Sequence, residues 1–171
     1  MYFRRPDRSL LKVDFAAVQS LLHFVQDDDV KPEAGGILMG RLLRGSNNIV
    51  VDEITEPLPG DVRTRFTFER AAKQHQSVLD AHWSESRGTC GYLGEWHTHA
   101  EPFPSPSSVD LRDWRRRLRS DEFDIGQLFF VIVGTEDIGV WQGTRGCTAR
   151  AAVVEAATCW FGPPGGGTPM V

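Results

Sequence analysis

Gly91-Tyr-Leu-Gly-Glu-Trp-His-Thr-His99, then Ala100-Glu-Pro-Phe-Pro-Ser-Pro106, then Ser107-Ser-Val-Asp110 reads as a strand, a stiff loop and the start of a helix. Residues i and i+2 of a strand point to the same face, so His97 and His99 present two imidazoles side by side. The loop holds three prolines, which end the strand and return the chain. Asp110 then falls on the first turn of a helix predicted from about Ser108 to Arg119. Two imidazoles and one carboxylate leave a fourth position open, the donor pattern of catalytic rather than structural zinc. Ser107-x-x-Asp110 also reads as a capping box, with an acid where the helix dipole favours one. The two readings are compatible, because a cap fixes the geometry of the ligand.

Working towards the N-terminus, Glu69 to Ser84 has helical spacing, with His75, Val78, Leu79 and His82 on one stripe. Seven residues along a helix separate two groups by about 10 Å, so His75 and His82 cannot share one metal. Glu33-Ala-Gly-Gly-Ile-Leu-Met-Gly40 and Ile49 to Ile54 are apolar runs joined by the turn Gly45-Ser-Asn-Asn48, a β-hairpin. Glu56 to Asp61 is an irregular loop, with Arg63 to Phe68 extended after it. Ser9 to Val13 is a first strand. From Asp14, the residues Phe15, Val18, Leu22 and Val25 repeat at helical spacing, and the acidic run Asp27 to Asp29 lies beyond the helix end.

Towards the C-terminus, Leu128–Val133, Ile138–Gln142 and Thr148–Val154 read as three final strands. On the preceding helix, Leu111, Trp114 and Leu118 form an apolar stripe beside Arg112, Arg115, Arg116 and Arg119, which read as a solvated face. The expected fold is α+β: a single domain over residues 1–160 with a mixed curved β-sheet flanked by helices. Residues 161–171 form a flexible Gly/Pro-rich tail.

The chain has 171 residues, 40% of them apolar and 17 aromatic, enough for one domain with its own core. Nineteen basic residues against 23 acidic give a net charge of −4, which argues against nucleic-acid partners and anionic membranes. No run is long enough to span a bilayer, and the N-terminus has no secretory apolar segment. Cys90, Cys147 and Cys159 make neither a C-x-x-C nor a disulfide framework, so they read as small buried hydrophobes in a reducing cytosol. The absence of P-C-x-x-C also excludes a zinc deaminase.

Hydrolysis at an open zinc site needs a proton shuttle. Glu33 precedes the glycine-rich strand, and Glu95 lies two residues before His97, on the same strand face. Glu95 reads either as a partner to one histidine or as a solvent-facing acid, and spacing alone does not choose between the two glutamates.

Glu33-Ala-Gly-Gly-Ile-Leu-Met-Gly40 followed by Gly-Glu-Trp-His97-Thr-His99-(x7)-Ser107-x-x-Asp110 resembles the JAMM (MPN-plus, JAB) metallopeptidases. The resemblance runs from about Asp14 to Val154 and includes all five functional positions. It implies a cytidine-deaminase-like MPN domain and one Zn²⁺ held by His97, His99 and Asp110. It further implies Glu33 as general base and Ser107 as oxyanion donor, which prefers Glu33 over Glu95. One departure is Ala100, where the family usually has proline. Glu-Trp-His-Thr-His, Pro-Ser-Pro-Ser-Ser-x-Asp, and Phe66-x-Phe68 followed by His75-Gln76 are similar to the JAMM isopeptidases encoded beside E1- and E2-like enzymes in CBASS antiphage operons. The subgroup implies a cytoplasmic bacterial enzyme that removes a nucleotidyltransferase conjugated through its C-terminal tail. The alternatives are a peptidase for another ubiquitin-like or sulfur-carrier protein, or a catalytically silent MPN scaffold. An extended tail needs a groove, for which Thr55 to Phe68 is the candidate, with Arg63 and Arg65 placed to meet carboxylates.

Overall fold

Leu128-Phe-Phe-Val-Ile-Val133 is apolar without interruption, the pattern of a strand covered on both faces, and all six side chains are fully buried. In the computed structural model, which describes residues 1–145 and the strand backbone of 152–159, this run is the centre of the fold. The elements are β1 (Tyr2–Arg4), β2 (Leu10–Val13), α1 (Phe15–His23), β3 (Gly35–Leu42), β4 (Ile49–Ile54), β5 (Val62–Thr64), β6 (Thr67–Glu69), α2 (Ala72–Glu85), β7 (Gly91–Thr98), α3 (Ser108–Ser120), β8 (Gln127–Val133), β9 (Ile138–Arg145) and β10 (Ala152–Cys159). Eight strands follow the order β1–β10–β9–β8–β7–β3–β4–β2, and β5 and β6 form a separate hairpin. The pairs β2–β4 and β7–β8 are parallel and the rest antiparallel, so the sheet is mixed, as expected. Its curvature goes further than the sequence suggests. The short β1, which has no alternation to reveal it, pairs with both β2 and β10 and closes a barrel.

Inside the barrel, Leu11, Leu38, Val51, Leu93, Trp96, Phe129 and Val131 make the main core. Outside, Trp114 and Leu118 of α3 cover Leu128, Phe130 and Ile132, and Trp114 stacks on Phe130 at 4.5 Å. Val78 and Leu79 of α2 pack on Ile37, Met39 and the buried Cys90, whose thiol pKa burial pushes up to about 11. That is an inert thiol, consistent with a small buried hydrophobe. Arg112, Arg115, Arg116 and Arg119 are exposed.

Two expectations are corrected. The inward stripe of α1 is Ala17, Val18 and Leu21, while Phe15 is 71% and Leu22 46% exposed. The helix phase is set where the chain enters: the Asp14 N–H donates to Val51 O at 2.9 Å and the Asp14 carboxylate caps the Phe15 N–H. The last strand runs past its predicted end at Val154. The described strand is 152–159, and residues 146–151 lie outside the described residues, as do residues 160–171 with the predicted tail.

A bulge in β7 decides what the barrel presents outward. Leu38 pairs with Gly94 and Met39 with Tyr92, so Leu93 is the extra residue. Gly94 has φ +139°, and a Cβ there would lie 1.8 Å from Phe129 O. The added residue shifts the alternation by one step. Leu93 and Trp96 enter the core, and Glu95 and His97 turn to the outer face between α2 and α3.

Candidate metal centre

Glu33 is 66 residues from His99 in sequence but close in space, through the β3–β7 register. Gly35 pairs with His97, and beyond the strand end Thr98 N–H donates to Ala34 O at 2.8 Å. The Thr98 hydroxyl also accepts the Ala34 N–H at 3.0 Å. Glu33, His97 and His99 therefore share the outer face, with one ligand atom from each lying within 4.8 Å of the others. The fourth group arrives on α3. Ser107 is its N-cap: the Ser107 hydroxyl accepts the Asp110 N–H at 3.2 Å, and the Asp110 carboxylate accepts the Ser107 N–H at 2.7 Å. The predicted capping box is present, and it orients the carboxylate towards the histidines.

His97 Nε2 and His99 Nε2 are 3.0 Å apart. Asp110 Oδ1 is 3.4 Å from the first and Oδ2 is 3.6 Å from the second. Ligands at about 2.0–2.1 Å around a tetrahedral zinc lie about 3.3 Å from one another, so the three groups have the spacing of a metal's own ligand shell. Burial holds the His97 pKa down to about 4, against the pull of Asp110 and helped by His99, so its imidazole is neutral and keeps a lone pair. Two imidazole nitrogens and a carboxylate converging on one point are a donor set that fits zinc.

Glu33 is 7% exposed. Burial, with the Asp110 carboxylate adding to it, raises its pKa to about 8. Glu33 is another possible donor, but Asp110 lies nearer the two nitrogens. A carboxylate set one step back, with an affinity for protons near neutrality, is suited to move a proton.

Two features were not legible in the sequence reading. Glu101 Oε1 lies 3.1 Å from His99 Nδ1 and accepts the Ser105 N–H at 2.8 Å. An acceptor at Nδ1 fixes that proton there and leaves Nε2 for a metal. The available signal was an acid two residues beyond a ligand histidine. Glu101→Gln is expected to lower zinc affinity about 10- to 100-fold with the fold intact. Titration against a chromophoric chelator checks this, and an unchanged affinity would show that His99 needs no such partner. The second feature is Glu95, which does share the histidines' strand face but touches neither imidazole. Its carboxylate is paired with Arg70 and Arg117.

The β5–β6 hairpin stands beside Glu33. The Glu33 N–H donates to Thr64 O at 2.7 Å, and Arg63 Nε donates to Glu33 O at 2.8 Å. Arg65 donates to the carbonyls of Asp28 and Lys31. Both arginines bond backbone oxygens that hold the hairpin in place, and Arg65 Nη2 also lies 3.5 Å from the Asp29 carboxylate. Phe66 at its tip is 81% exposed, and Phe103 in the proline loop is 70% exposed. His75 is fully buried, between the Thr55 hydroxyl at 2.6 Å and the Asp61 carboxylate at 3.1 Å, and ties the base of this segment to α2.

On a closed, mixed sheet, a His-x-His segment and an acid on the next helix make a candidate metal centre with a buried carboxylate beside it. Residues 16–145 match the family described as prokaryotic homologs of the JAB domain, and the chain belongs to that family. A Vibrio cholerae protein named CD-NTase/cGAS isopeptidase is 37% identical over 145 residues, 85% of this chain and 88% of its own length. A Sinorhizobium fredii protein named probable metalloprotease is 33% identical over 91 residues, covering 53% of this chain and 55% of its own. The solution structure of a Desulfitobacterium hafniense protein superposes with a TM-score of 0.55 at 18% identity, covering 85% of this chain and 89% of that one. That likeness is one of fold.

Proposed function

We propose that this chain is a zinc-dependent isopeptidase that frees a nucleotidyltransferase from the amine to which its C-terminal tail has been joined, within a bacterial CBASS system. The observation that carries the reading is the convergence of His97 Nε2, His99 Nε2 and the Asp110 carboxylate, with buried Glu33 one step behind them. The relative named CD-NTase/cGAS isopeptidase supports the substrate class.

His97, His99 and Asp110 hold one Zn²⁺ per chain, and the bound ion supplies Lewis acidity toward water and the scissile carbonyl. Glu33 takes a proton from the attacking water at its carboxylate. The water oxygen bonds to the carbonyl carbon, and the Ser107 hydroxyl donates to the developing oxyanion. Glu33 returns the proton to the leaving lysine nitrogen as the C–N bond breaks, giving a free C-terminal carboxylate and a free amine. The β5–β6 hairpin forms one wall of the groove for the extended tail. E1- and E2-like operon partners would make the conjugate that this reaction removes. An enzyme acting on such conjugates would work in the cytoplasm. Among the described residues no helix is long and apolar enough to cross a membrane. Residues 1–160 form the catalytic domain, followed by a tail at 161–171.

The test has two parts. Purified wild-type chain is expected to carry about one zinc, and Asp110→Ala little, because two imidazoles alone no longer close the shell. The zinc-loaded chain should then release a nucleotidyltransferase joined through its C-terminus to a lysine, and a chelator should stop the release. No zinc in the wild type after reconstitution would sink the metal reading. Zinc with cleavage of only a ubiquitin-like conjugate would move the substrate to that class.

A further inference from the structure

We infer that Glu95 is a positioning residue for the metal centre: clamped between Arg70 and Arg117, it fixes the strand that carries His97 and His99 against the helix that carries Asp110. This rests on the metal reading above. The two sets of ligands come from different elements. His97 and His99 belong to β7 and its end, Asp110 to α3, and the proline loop joins them. A site of three ligands with 3.0–3.6 Å between donor atoms tolerates little sliding of one element on the other.

Glu95 lies two residues before His97 on the same face of β7, about 7 Å along the strand. Arg117 lies seven residues after Asp110, two helical turns along and on the same face of α3. Arg117 Nε lies against Glu95 Oε2 as an ion pair without hydrogen-bond geometry, a charge contact that joins the two ligand-bearing elements directly. Arg70, in the residues leading into α2, donates to Glu95 Oε1 from Nη2 at 2.7 Å and from Nε at 3.1 Å. Arg117 is braced in turn by Asp121 at 3.4 Å. The side chains of Glu95, Arg70 and Arg117 are 16%, 13% and 22% exposed, so solvent screens this cluster less than an open surface pair. Among the described residues, the one other ion-pair contact between β7 and α3 is that of His97 with Asp110, the ligands themselves. Glu95 thus lies on the strand face of a metal ligand without touching one, and its geometry is that of a spacer.

A double-mutant cycle on zinc affinity separates positioning from general support. Zinc affinity is measured by competition with a chromophoric chelator on the full chain, for wild type, Glu95→Gln, Asp110→Ala and the double variant. Wild-type binding is read first, and its absence would overturn the metal reading itself. With binding present, Glu95→Gln is expected to lower affinity about tenfold or more, the size of effect of other groups that orient a ligand. In the Asp110→Ala background the same change should cost less than about threefold, because the ligand whose distance it sets is gone. An equal loss in both backgrounds, or no loss in either, overturns the proposal. Should Glu95→Gln not fold, judged by a thermal melt in chelator, Arg117→Gln breaks the same tie from the helix side and enters the same cycle.

Discussion

Glu33→Gln is expected to bind zinc as the wild type does and to cleave its conjugate about 10²- to 10⁴-fold more slowly, the range for loss of a positioned general base. The side chain keeps its size, so the buried slot beside β3 stays filled. What is lost is the carboxylate that accepts a proton from water and passes it to the leaving amine. Zinc content and turnover, measured on the same preparation, check the prediction. Normal turnover would remove Glu33 from the mechanism, and loss of zinc would make it a ligand. The metal-free protein provides a second readout. The Glu33 pKa is about 8 in the fold against 4.5 ordinarily, so the folded chain retains a proton that the unfolded chain releases. The resulting stabilisation is fully present below pH 4.5 and is lost as pH rises through 8. His97, held down in the fold, acts in the other direction, and only below its ordinary 6.5. Between pH 6.5 and 8 the wild type in chelator should therefore lose about 1 kcal/mol per pH unit relative to Glu33→Gln, about 2–4 °C in Tm. Parallel melting curves for the two chains would show that Glu33 ionises normally.

Gly94→Ala is expected to abolish the folded protein. The new methyl would lie 1.8 Å from Phe129 O, and φ +139° is a conformation that side chains rarely adopt. The obstacle is backbone of the central strand β8, which has no rotamer to yield. Either β7 separates from β8, opening the barrel, or the bulge is lost and the alternation reverts. Reversion would turn Glu95 and His97 into the apolar core, at a cost comparable to the roughly 5–15 kcal/mol that holds a domain together. Insoluble expression, or a soluble chain without a cooperative melt, is the expected result. A Gly94→Ala chain that melts cooperatively and binds zinc would show that β7 does not need this bulge.

Much of this was legible in the sequence, for identifiable reasons. His97 and His99 share a face because strand periodicity is local, and Asp110 enters at a helix start because Ser107 and the prolines put one there. The hairpin of β3 and β4 follows from two apolar runs and a Gly/Asn turn. The phase of α1 was not legible, since Phe15, Val18 and Leu22 make as good a stripe as Ala17, Val18 and Leu21 until Asp14 is anchored on Val51. Nor was β1, whose three residues form a strand only because β2 and β10 flank them.

The sequence by itself determined the donor types and their local order: two imidazoles at i and i+2, a rigid return, and a carboxylate fixed by its own helix cap. These depend on backbone geometry within a few residues. Only the tertiary structure decided that Glu33 lies beside them, that Glu95 pairs with arginines from two other segments, and that Arg63 and Arg65 hold the hairpin. Those outcomes depend on the register between strands tens of residues apart and on the bulge that sets which way β7 faces. Pairings of that range are chosen by how the whole barrel packs, and no short window of sequence contains them.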